Sequence, residues 1–310
     1  MAETGPLVSV VIAAYNRSNV VGFTIETVRR QTLADWELWV IGDACTDDTG
    51  EVVASFGDPR IRFFNLERNV GSQSGPNNEG IRRARGRYVA FLGQDDLWFP
   101  DHLELGVGML EETGADFAFS LMDEVWPDGR RFLSGGTPDG RFHPWVRAAP
   151  SSWTVRRETL VEVGLWREAV ERRTPPDDEL LNRIHRAGKE MRLVPALTVV
   201  KLPALRRADV YAKRESHENE EWFRRLAEEP ALRERELSAL LLSYAGAQAV
   251  PKPLRLHLLR WAADLLKRIS SASGHSAWAL YHVLRHPTRG GRVRAHRRRR
   301  GLDPLERRGL

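Results

Sequence analysis

Apolar and polar positions alternate along the first third of the chain in a pattern that predicts strands separated by helices. Short runs rich in β-branched and aromatic residues are typical of buried strands, and four of them occur, at 7–14, 36–41, 61–66 and 87–92. The segments that follow have the apolar spacing of helices, at 18–31, 47–56, 72–85 and 101–113. Strands that alternate with helices of this length form parallel βαβ units. The pattern predicts an α/β fold, an open and mostly parallel sheet with helices on both faces.

Beyond residue 203 the pattern becomes helical and rich in charge. Helical spacing covers 218–227, 234–247 and 254–269. We therefore expect an α/β domain at 1–203, a helical C-terminal region at 204–272, and a basic, flexible tail at 273–310. The stretch 123–174 shows no clear period, and we expect it to be irregular.

Charge is concentrated at the C-terminal end. Residues 285–310 hold ten arginines against Asp303 and Glu306, so this segment carries +8 of a chain total of +5 and leaves 1–284 at −3. A mildly acidic body argues against a nucleic-acid-binding face spread over the fold. The helix predicted at 254–269 has an apolar stripe beside basic residues. Packing on its own domain and peripheral contact with an anionic membrane both explain that stripe.

Cysteine content and hydropathy indicate the cellular compartment in which we expect the protein. The single cysteine, Cys45, excludes an internal disulfide framework and a cysteine zinc site. No run reaches the roughly 18 apolar residues of a membrane span, and the first residues lack the pattern of a signal peptide. We expect a cytoplasmic protein, with the inner face of the plasma membrane as an alternative location for peripheral contact.

Polar residues follow three of the predicted strands directly. Ligands of such sheets bind beyond the carboxyl ends of the strands, so the segments 14–17, 42–48 and 93–98 are the ones to inspect. They contain several acids but neither a dinucleotide fingerprint nor a P-loop to hold phosphates by backbone amides. If this acidic edge binds a phosphorylated ligand, it must do so through a divalent cation.

The polar segments carry a family resemblance. The chain resembles family 2 glycosyltransferases of the GT-A fold over 7–196, through these stretches in order: VSVVIAAYNR at 8–17, QT at 31–32, GDACTDDT at 42–49, RNVG at 68–71 and ARGRYVAFLGQDD at 84–96. Enzymes of that family transfer a sugar from a nucleotide donor to an acceptor, usually with inversion, using Mn²⁺ or Mg²⁺. The resemblance thus implies a nucleotide-binding half at 1–100 and an acceptor half at 101–203.

The resemblance assigns a role to each matching residue. Asp43 corresponds to the acid that reads the uracil N3–H, which makes UDP the expected nucleotide. The other residues carried over to the nucleotide are Ala14, Tyr15, Asn16, Arg17, Asn69, Gln94 and Asp95. For Asn69, loop geometry is the alternative. The last acid of the family's D-x-D motif ligates the metal, so Asp96 is the first candidate ligand and Asp95 the second.

A general base must take the proton of the attacking acceptor hydroxyl. The family supplies it from an E-D-x-x-L segment at the start of a helix, and TPPDDELLNRI at 174–184 matches that segment. Asp177 aligns with the base, and Asp178 is the alternative if the register slips by one residue. A plain helix N-cap is the competing interpretation of Asp177.

Three departures from the family pattern concern acids. Gly42, Gly93 and Gln94 stand where family members commonly have acidic residues. Two functions stay open on this evidence, beside a nucleic-acid or membrane adaptor led by the arginine-rich tail. The first is an inverting transferase that uses a nucleotide-sugar donor and a saccharide or lipid-linked acceptor in cell-surface polysaccharide or glycolipid assembly. The second is a catalytically impaired homologue that binds a nucleotide or a partner.

Overall fold

The computed structural model describes residues 5–168, 171, 174–203, 218–249 and 265. The strands are β1 (Val8–Ala14), β2 (Trp36–Gly42), β3 (Ile61–Asn65), β4 (Tyr88–Gly93), β5 (Leu97–Trp98), β6 (Phe117–Val125), β7 (Arg131–Ser134), β8 (Trp153–Arg156) and β9 (Met191–Lys201). The helices are α1 (Ser18–Arg29), α2 (Thr49–Ala54), α3 (Ser74–Arg83), α4 (His102–Thr113), α5 (Arg157–Val163), α6 (Pro176–Arg186), α7 (Asn219–Glu228) and α8 (Leu232–Ala249).

The strands of the described residues form one sheet in the order β3-β2-β1-β4-β8-β6-β9-β5, with β7 paired to β6. The neighbours among β1 to β4 are parallel, and β6 is parallel to β9. Because β8 is antiparallel to both β4 and β6, those two strands run in the same direction. Six strands therefore end at one edge, which we call the carboxyl edge. This mostly parallel sheet confirms the predicted fold class.

Helices cover both faces of the sheet. Successive side chains of β1 point to opposite faces and nearly all of them are buried, so both faces must be covered. One face packs against α1, α2 and α4 through a cluster that includes Val8, Val10, Ile12, Val21, Ile25, Val53 and Leu103. The opposite face packs against α3 and α6 through a second cluster that includes Val11, Ile81, Phe91, Trp153, Leu180 and Ile184. Since each helix leads back toward the next strand, α1, α2, α3 and α6 all begin near the carboxyl edge.

The C-terminal helices pack against the far end of the sheet. Trp222 of α7 and Leu232 of α8 join an apolar cluster with Leu97 of β5 and Val200 of β9. These helices match the two predicted at 218–227 and 234–247. The third predicted helix, at 254–269, and the arginine-rich end lie outside the described residues, apart from residue 265. No helix in the described part of the chain combines the length and the apolar character needed to span a membrane.

The expectation that 123–174 is irregular is wrong in part. The last residues of β6, all of β7, β8 and α5, and a short 3-10 turn at Pro150–Ser152 lie in this stretch. Its strands were missed because they do not form apolar runs. Asp123 and Glu124 of β6 and Thr154 of β8 are almost fully buried, so polar residues occupy core positions in these strands.

A buried histidine links α4 to this part of the sheet. The Nδ1 atom of His102 lies 2.7 Å from Thr198 Oγ1, and the Thr198 hydroxyl donates to Ser120 Oγ at 2.6 Å. Thr198 therefore accepts the His102 Nδ1–H. The imidazole stacks on the Trp98 ring with centroids 4.1 Å apart. Burial lowers the pKa of His102 to about 3, against a weaker opposing influence of Asp101.

Because the pKa of His102 is lowered in the folded state, we expect the protein to lose stability in acid. The folded state holds the imidazole neutral, whereas the unfolded chain protonates it near pH 6.5. The free energy of unfolding is therefore unaffected by the titration of His102 above pH 6.5. It decreases by roughly 1.4 kcal/mol per pH unit as the pH falls from 6.5 toward about 3. His102→Asn keeps a donor for Thr198 and removes the titration. Urea unfolding at pH 7, 6, 5 and 4 should give a flatter pH dependence for this variant, and parallel curves would contradict the assignment.

Candidate functional site

The Asp43 carboxylate, directly after β2, holds the loop that follows β3. Its two oxygens accept the Val70 N–H at 2.7 Å and the Gly71 N–H at 3.0 Å. The Asn69 side-chain amide donates to the Asp43 carbonyl at 2.9 Å, and Gly71 has a φ of 67°. Hydrogen bonds to the charged form fix both the position and the orientation of the carboxylate. The structure brings Asp43 and Asn69 together, and the Asn69 side chain contacts the Asp43 backbone.

The segment after β1 lies between the segments that follow β2 and β4. The Tyr15 N–H donates to the Gln94 side-chain oxygen at 2.7 Å. Asn16, at a φ of 46°, accepts the Thr46 N–H on its side-chain oxygen at 2.8 Å. The Asp43 N–H donates to the Ala14 carbonyl at 2.7 Å, and Arg17 is almost fully buried. Ala14, Tyr15, Asn16, Asp43 and Gln94 are thus brought together at the carboxyl edge.

Asp96 is fully buried and is surrounded by donors from distant parts of the chain. Its Oδ1 accepts the Leu202 N–H at 2.9 Å, and its Oδ2 lies 2.7 Å from Lys201 Nζ and also accepts the Ser151 hydroxyl. Burial alone would lower the pKa of Lys201, but the Asp96 carboxylate outweighs it and holds that pKa above the usual value. Asp96 therefore fastens the end of β9 to the segment that follows β4.

Two glycines account for the missing acids of the family pattern. A Cβ atom on Gly42 would lie 2.3 Å from Asn65 Oδ1, and a Cβ on Gly93 would lie 2.6 Å from Asp96 Oδ2. Asn65 occupies the first space because it donates to the Cys45 carbonyl at 2.9 Å and accepts the Cys45 N–H at 2.8 Å. Acidic side chains at 42 and 93 do not fit these surroundings without movement of Asn65 and Asp96.

The donor set for a divalent cation is correspondingly small. Within the residues that the structure describes, no three side chains of the metal-binding types form a cluster. Gln94 is uncharged, and the Asp96 carboxylate is engaged by Lys201, Leu202 and Ser151. This geometry favours Asp95 over Asp96 as a ligand, the reverse of the order expected from the sequence. One carboxylate is enough only for a cation that takes its other ligands from phosphate and water, as Mg²⁺ commonly does.

The acids at the start of α6 lie on the same side of the sheet. Helix α6 ends a few residues before β9, and β9 starts at the edge opposite the carboxyl edge, so α6 begins toward the carboxyl edge. Asp177 and Asp178 lie in its first turn, where the helix dipole favours anions, and both are half-buried. Their neighbour Glu179 pairs with Arg183 at 3.0 Å and with Arg167 at 3.3 Å.

A continuous set of contacts joins this helix to the Asp43 loop. The Asn78 side chain of α3 donates to the Trp166 carbonyl at 2.8 Å and accepts the Trp166 N–H at 2.9 Å. Arg183 of α6 donates to the Leu165 carbonyl at 2.8 Å. Since α3 begins three residues after Gly71, the loop around Asp43 and the start of α6 are held by one packed unit.

Sequence reasoning missed Lys201, Ser151 and Asn65. Lys201 could have been found from the sequence, because it directly follows LTVV at 197–200, a segment rich in β-branched residues. It therefore falls at the end of a strand, like the acids that were inspected. Asn65 also lies at the end of a predicted strand, the one at 61–66, whereas Ser151 carries no comparable signal, since its partner lies 55 residues away.

The arrangement defines a class of protein before any relative is considered. A parallel sheet in the order 3-2-1-4, continued by a mixed half and with acidic segments at its carboxyl edge, is the GT-A architecture. The crystal structure of S. aureus TarS residues 1–349 in complex with UDP-GlcNAc has the same fold, with a TM-score of 0.54 and 18% identity over 66% of this chain and 60% of that one. The family model "Glycosyl transferase family 2" matches residues 9–134, the part of the chain that carries the resemblance.

Curated relatives match the same part of the chain. WfgD of Escherichia coli, named UDP-Glc:alpha-D-GlcNAc-diphosphoundecaprenol beta-1,3-glucosyltransferase, is 34% identical over 113 residues, which are 36% of this chain and 44% of WfgD. The succinoglycan biosynthesis protein ExoO of Rhizobium meliloti (strain 1021) is 38% identical over 125 residues, which are 40% of this chain and 36% of ExoO. The match thus spans less than half the length of either relative.

Proposed function

We propose that the protein is an inverting glycosyltransferase that moves a sugar from a UDP-sugar to a hydroxyl group of a saccharide or lipid-linked acceptor. The observation that carries the proposal is the meeting of the Asp43 loop and the 93–96 segment at the carboxyl edge, with the acids of α6 on the same side. Ligands of open parallel sheets bind at this edge. WfgD and ExoO, by their names, act in lipid-linked glycan and polysaccharide assembly, which supports the same class of acceptor.

In this proposal Asp43 reads the base. A carboxylate oxygen has two lone pairs, so each Asp43 oxygen that accepts a backbone N–H keeps the capacity to accept the uracil N3–H. Because Val70 and Gly71 fix the carboxylate, little conformational entropy is lost when the base binds. Tyr15 and Gln94, which are joined by a hydrogen bond, would contact the base and the ribose. The names of WfgD and of the TarS complex both contain a UDP-sugar, which supports uracil as the base.

Asp95 is the residue that we propose holds Mn²⁺ or Mg²⁺ together with pyrophosphate oxygens. The cation, when bound, would offset negative charge on the departing UDP. The buried pair of Asp96 and Lys201 keeps the segment that carries Asp95 in place. In this assignment Asp96 is a positioning residue.

Asp177 is the proposed general base. Its carboxylate takes the proton of the acceptor hydroxyl while the hydroxyl oxygen forms a bond to the anomeric carbon and the bond from that carbon to the UDP oxygen breaks. Attack from the face opposite the leaving group inverts the anomeric configuration. Asp178, in the same helical turn, is the alternative base.

A second function is favoured by Gly42, Gly93 and Gln94. The spaces next to these glycines are filled by Asn65 and Asp96, so the acids are replaced by packed neutral or ion-paired groups. A homologue that binds a nucleotide or a partner without transferring sugar is consistent with that packing. Cytoplasmic location, and membrane contact through the C-terminal helices and the basic tail, stay predictions from the sequence.

Nucleotide binding by the full chain is the first test. At 100 times its dissociation constant a ligand stabilises the folded state by about 2.7 kcal/mol, which is a shift of several degrees in Tm. We expect UDP with Mn²⁺ to raise Tm, and GDP and ADP at the same concentration to raise it less. Equal shifts for all three nucleotides, or no shift with any of them, would contradict the proposal.

UDP release separates the transferase from the impaired homologue. UDP-glucose and UDP-GlcNAc are incubated with the protein, Mn²⁺ and a GlcNAc-diphospholipid acceptor, with EDTA as the control. Release above the EDTA level supports transfer. Nucleotide-specific stabilisation without release from either donor would favour the impaired homologue.

A further inference from the structure

Side chains from two helices hold the backbone of the proposed cation-binding segment. The Thr24 hydroxyl of α1 lies 3.0 Å from the Gln94 carbonyl oxygen and 2.9 Å from that of Asp96, so one hydroxyl hydrogen is shared between two acceptors. The carbonyl between them has a donor of its own. The Asn219 side-chain amide donates to the Asp95 carbonyl oxygen at 2.7 Å.

Asn219 is the first residue of α7 and is almost fully buried. It lies 124 residues from Asp95 in sequence and beyond the part of the chain that matches the family model. An amide hydrogen bond to a carbonyl fixes the plane of that peptide group, and this plane sets the direction in which the side chain before it leaves the backbone. The direction of the Asp95 side chain therefore depends on where α7 lies.

Two sets of contacts hold α7 against the rest of the protein. Toward α1, the ring centroids of Phe223 and Phe23 are 5.5 Å apart, and the Arg30 guanidinium lies 4.6 Å from the Phe223 ring. Such aromatic and cation–π pairs stabilise the packing of α7 on α1. Trp222, which directly precedes Phe223, is buried in the apolar cluster with β5 and β9.

The second set is an ion-pair network with the β6–β7 hairpin. Arg225 of α7 pairs with Glu236 of α8, and Glu236 pairs with Arg131 of β7 at 2.5 Å. Arg131 also pairs with Asp123 of β6, which is fully buried. Burial would raise the pKa of Glu236, but Arg225 and Arg131 outweigh it and hold that pKa below its usual value. A charged, buried network of this kind fixes the geometry of the elements that it joins.

We propose that Asn219 is a positioning residue for Asp95, so that α7 forms part of the donor site although it lies far from the family-matched residues. The inference rests on the proposed function, because it assigns the effect to binding of UDP with a divalent cation. Loss of the Asn219 amide frees the Asp95 peptide group to rotate while Asp43 and its loop stay unchanged. Nucleotide binding then persists, and its enhancement by the cation declines.

Asn219→Leu tests the inference, because leucine has nearly the same shape and no hydrogen-bond donor. Phe223→Leu is the matched control, since it weakens the packing of α7 on α1 without removing a contact to Asp95. For the parent chain and for each variant, calorimetry gives the dissociation constant of UDP with and without Mn²⁺, and urea unfolding gives the free energy of unfolding. The decisive quantity is the dissociation constant measured without Mn²⁺ divided by the one measured with Mn²⁺.

We expect Mn²⁺ to strengthen UDP binding by the parent protein, and the ratio to fall about tenfold in Asn219→Leu, as is usual when a group that orients a metal ligand is lost. The ratio should stay at the parent value in Phe223→Leu. A ratio unchanged in Asn219→Leu, or lowered equally in both variants, would overturn the inference and leave nucleotide binding intact. So would a parent protein whose UDP binding is indifferent to Mn²⁺. A parent protein that binds no UDP would overturn the proposed function, and this inference with it.

Discussion

Replacing Asp177 by asparagine is expected to abolish sugar transfer while UDP still binds. Asparagine has almost the same shape but cannot take a proton from the acceptor hydroxyl, and general bases contribute about 10²–10⁴-fold to rate. The change removes one charge from the first turn of α6, which costs about 0.3–1 kcal/mol of stability. The measurements are UDP release from the donor that the parent protein uses, UDP affinity by calorimetry, and urea unfolding.

Asp178→Asn is the matched control for this variant. It removes the same charge from the same helical turn, so the effect on the helix dipole is shared and only the position of the carboxylate differs. Loss of transfer in Asp177→Asn alone assigns the base to Asp177, and loss in Asp178→Asn alone assigns it to Asp178. Near-normal turnover in both variants would remove α6 from the mechanism.

The first half of the sheet was predictable largely because β1, β2 and β4 are buried on both faces. In parallel strands covered by helices nearly every residue is apolar, and the run at 8–14 shows this directly. The predicted strands and helices up to residue 113 agree with β1 to β4 and α1 to α4 within three residues at each end. Periodicity alone gave this result.

The second half was not predictable in the same way, since its core contains paired polar groups. Ser120 and Thr198 lie on neighbouring strands, and both are buried because Thr198 bonds to Ser120 on one side and to His102 on the other. A buried polar group is acceptable only when its partner is present. The partners are 78 and 96 residues apart in sequence, so a local pattern cannot reveal them.

The candidate site was also predictable only in part. Sequence position was enough to bring Tyr15, Asp43 and Gln94 to one edge, because strand ends meet there. It was not enough to say what each side chain contacts. Asp96 was ranked first as a metal ligand on its place in the motif, whereas its buried contact with Lys201 is 105 residues away in sequence and favours Asp95 for that role.

Replacing Lys201 by methionine is expected to destabilise the protein by about 3–5 kcal/mol, because it leaves the Asp96 carboxylate buried without its cation. The double variant Lys201→Met/Asp96→Asn removes both charges and keeps an oxygen to accept the Leu202 N–H. We expect it to recover most of the lost stability in urea unfolding, so that a double-mutant cycle gives a large coupling energy.

The same double variant separates the two roles considered for Asp96. If Asp96 only positions the segment, the refolded double variant binds UDP with Mn²⁺ as tightly as the parent protein, because Asp95 is still present and its backbone is still held by Thr24 and Asn219. If Asp96 ligates the cation, the double variant is stable but Mn²⁺ no longer strengthens UDP binding. Stability and cation-dependent binding, measured on one protein, thus decide which acid holds the cation.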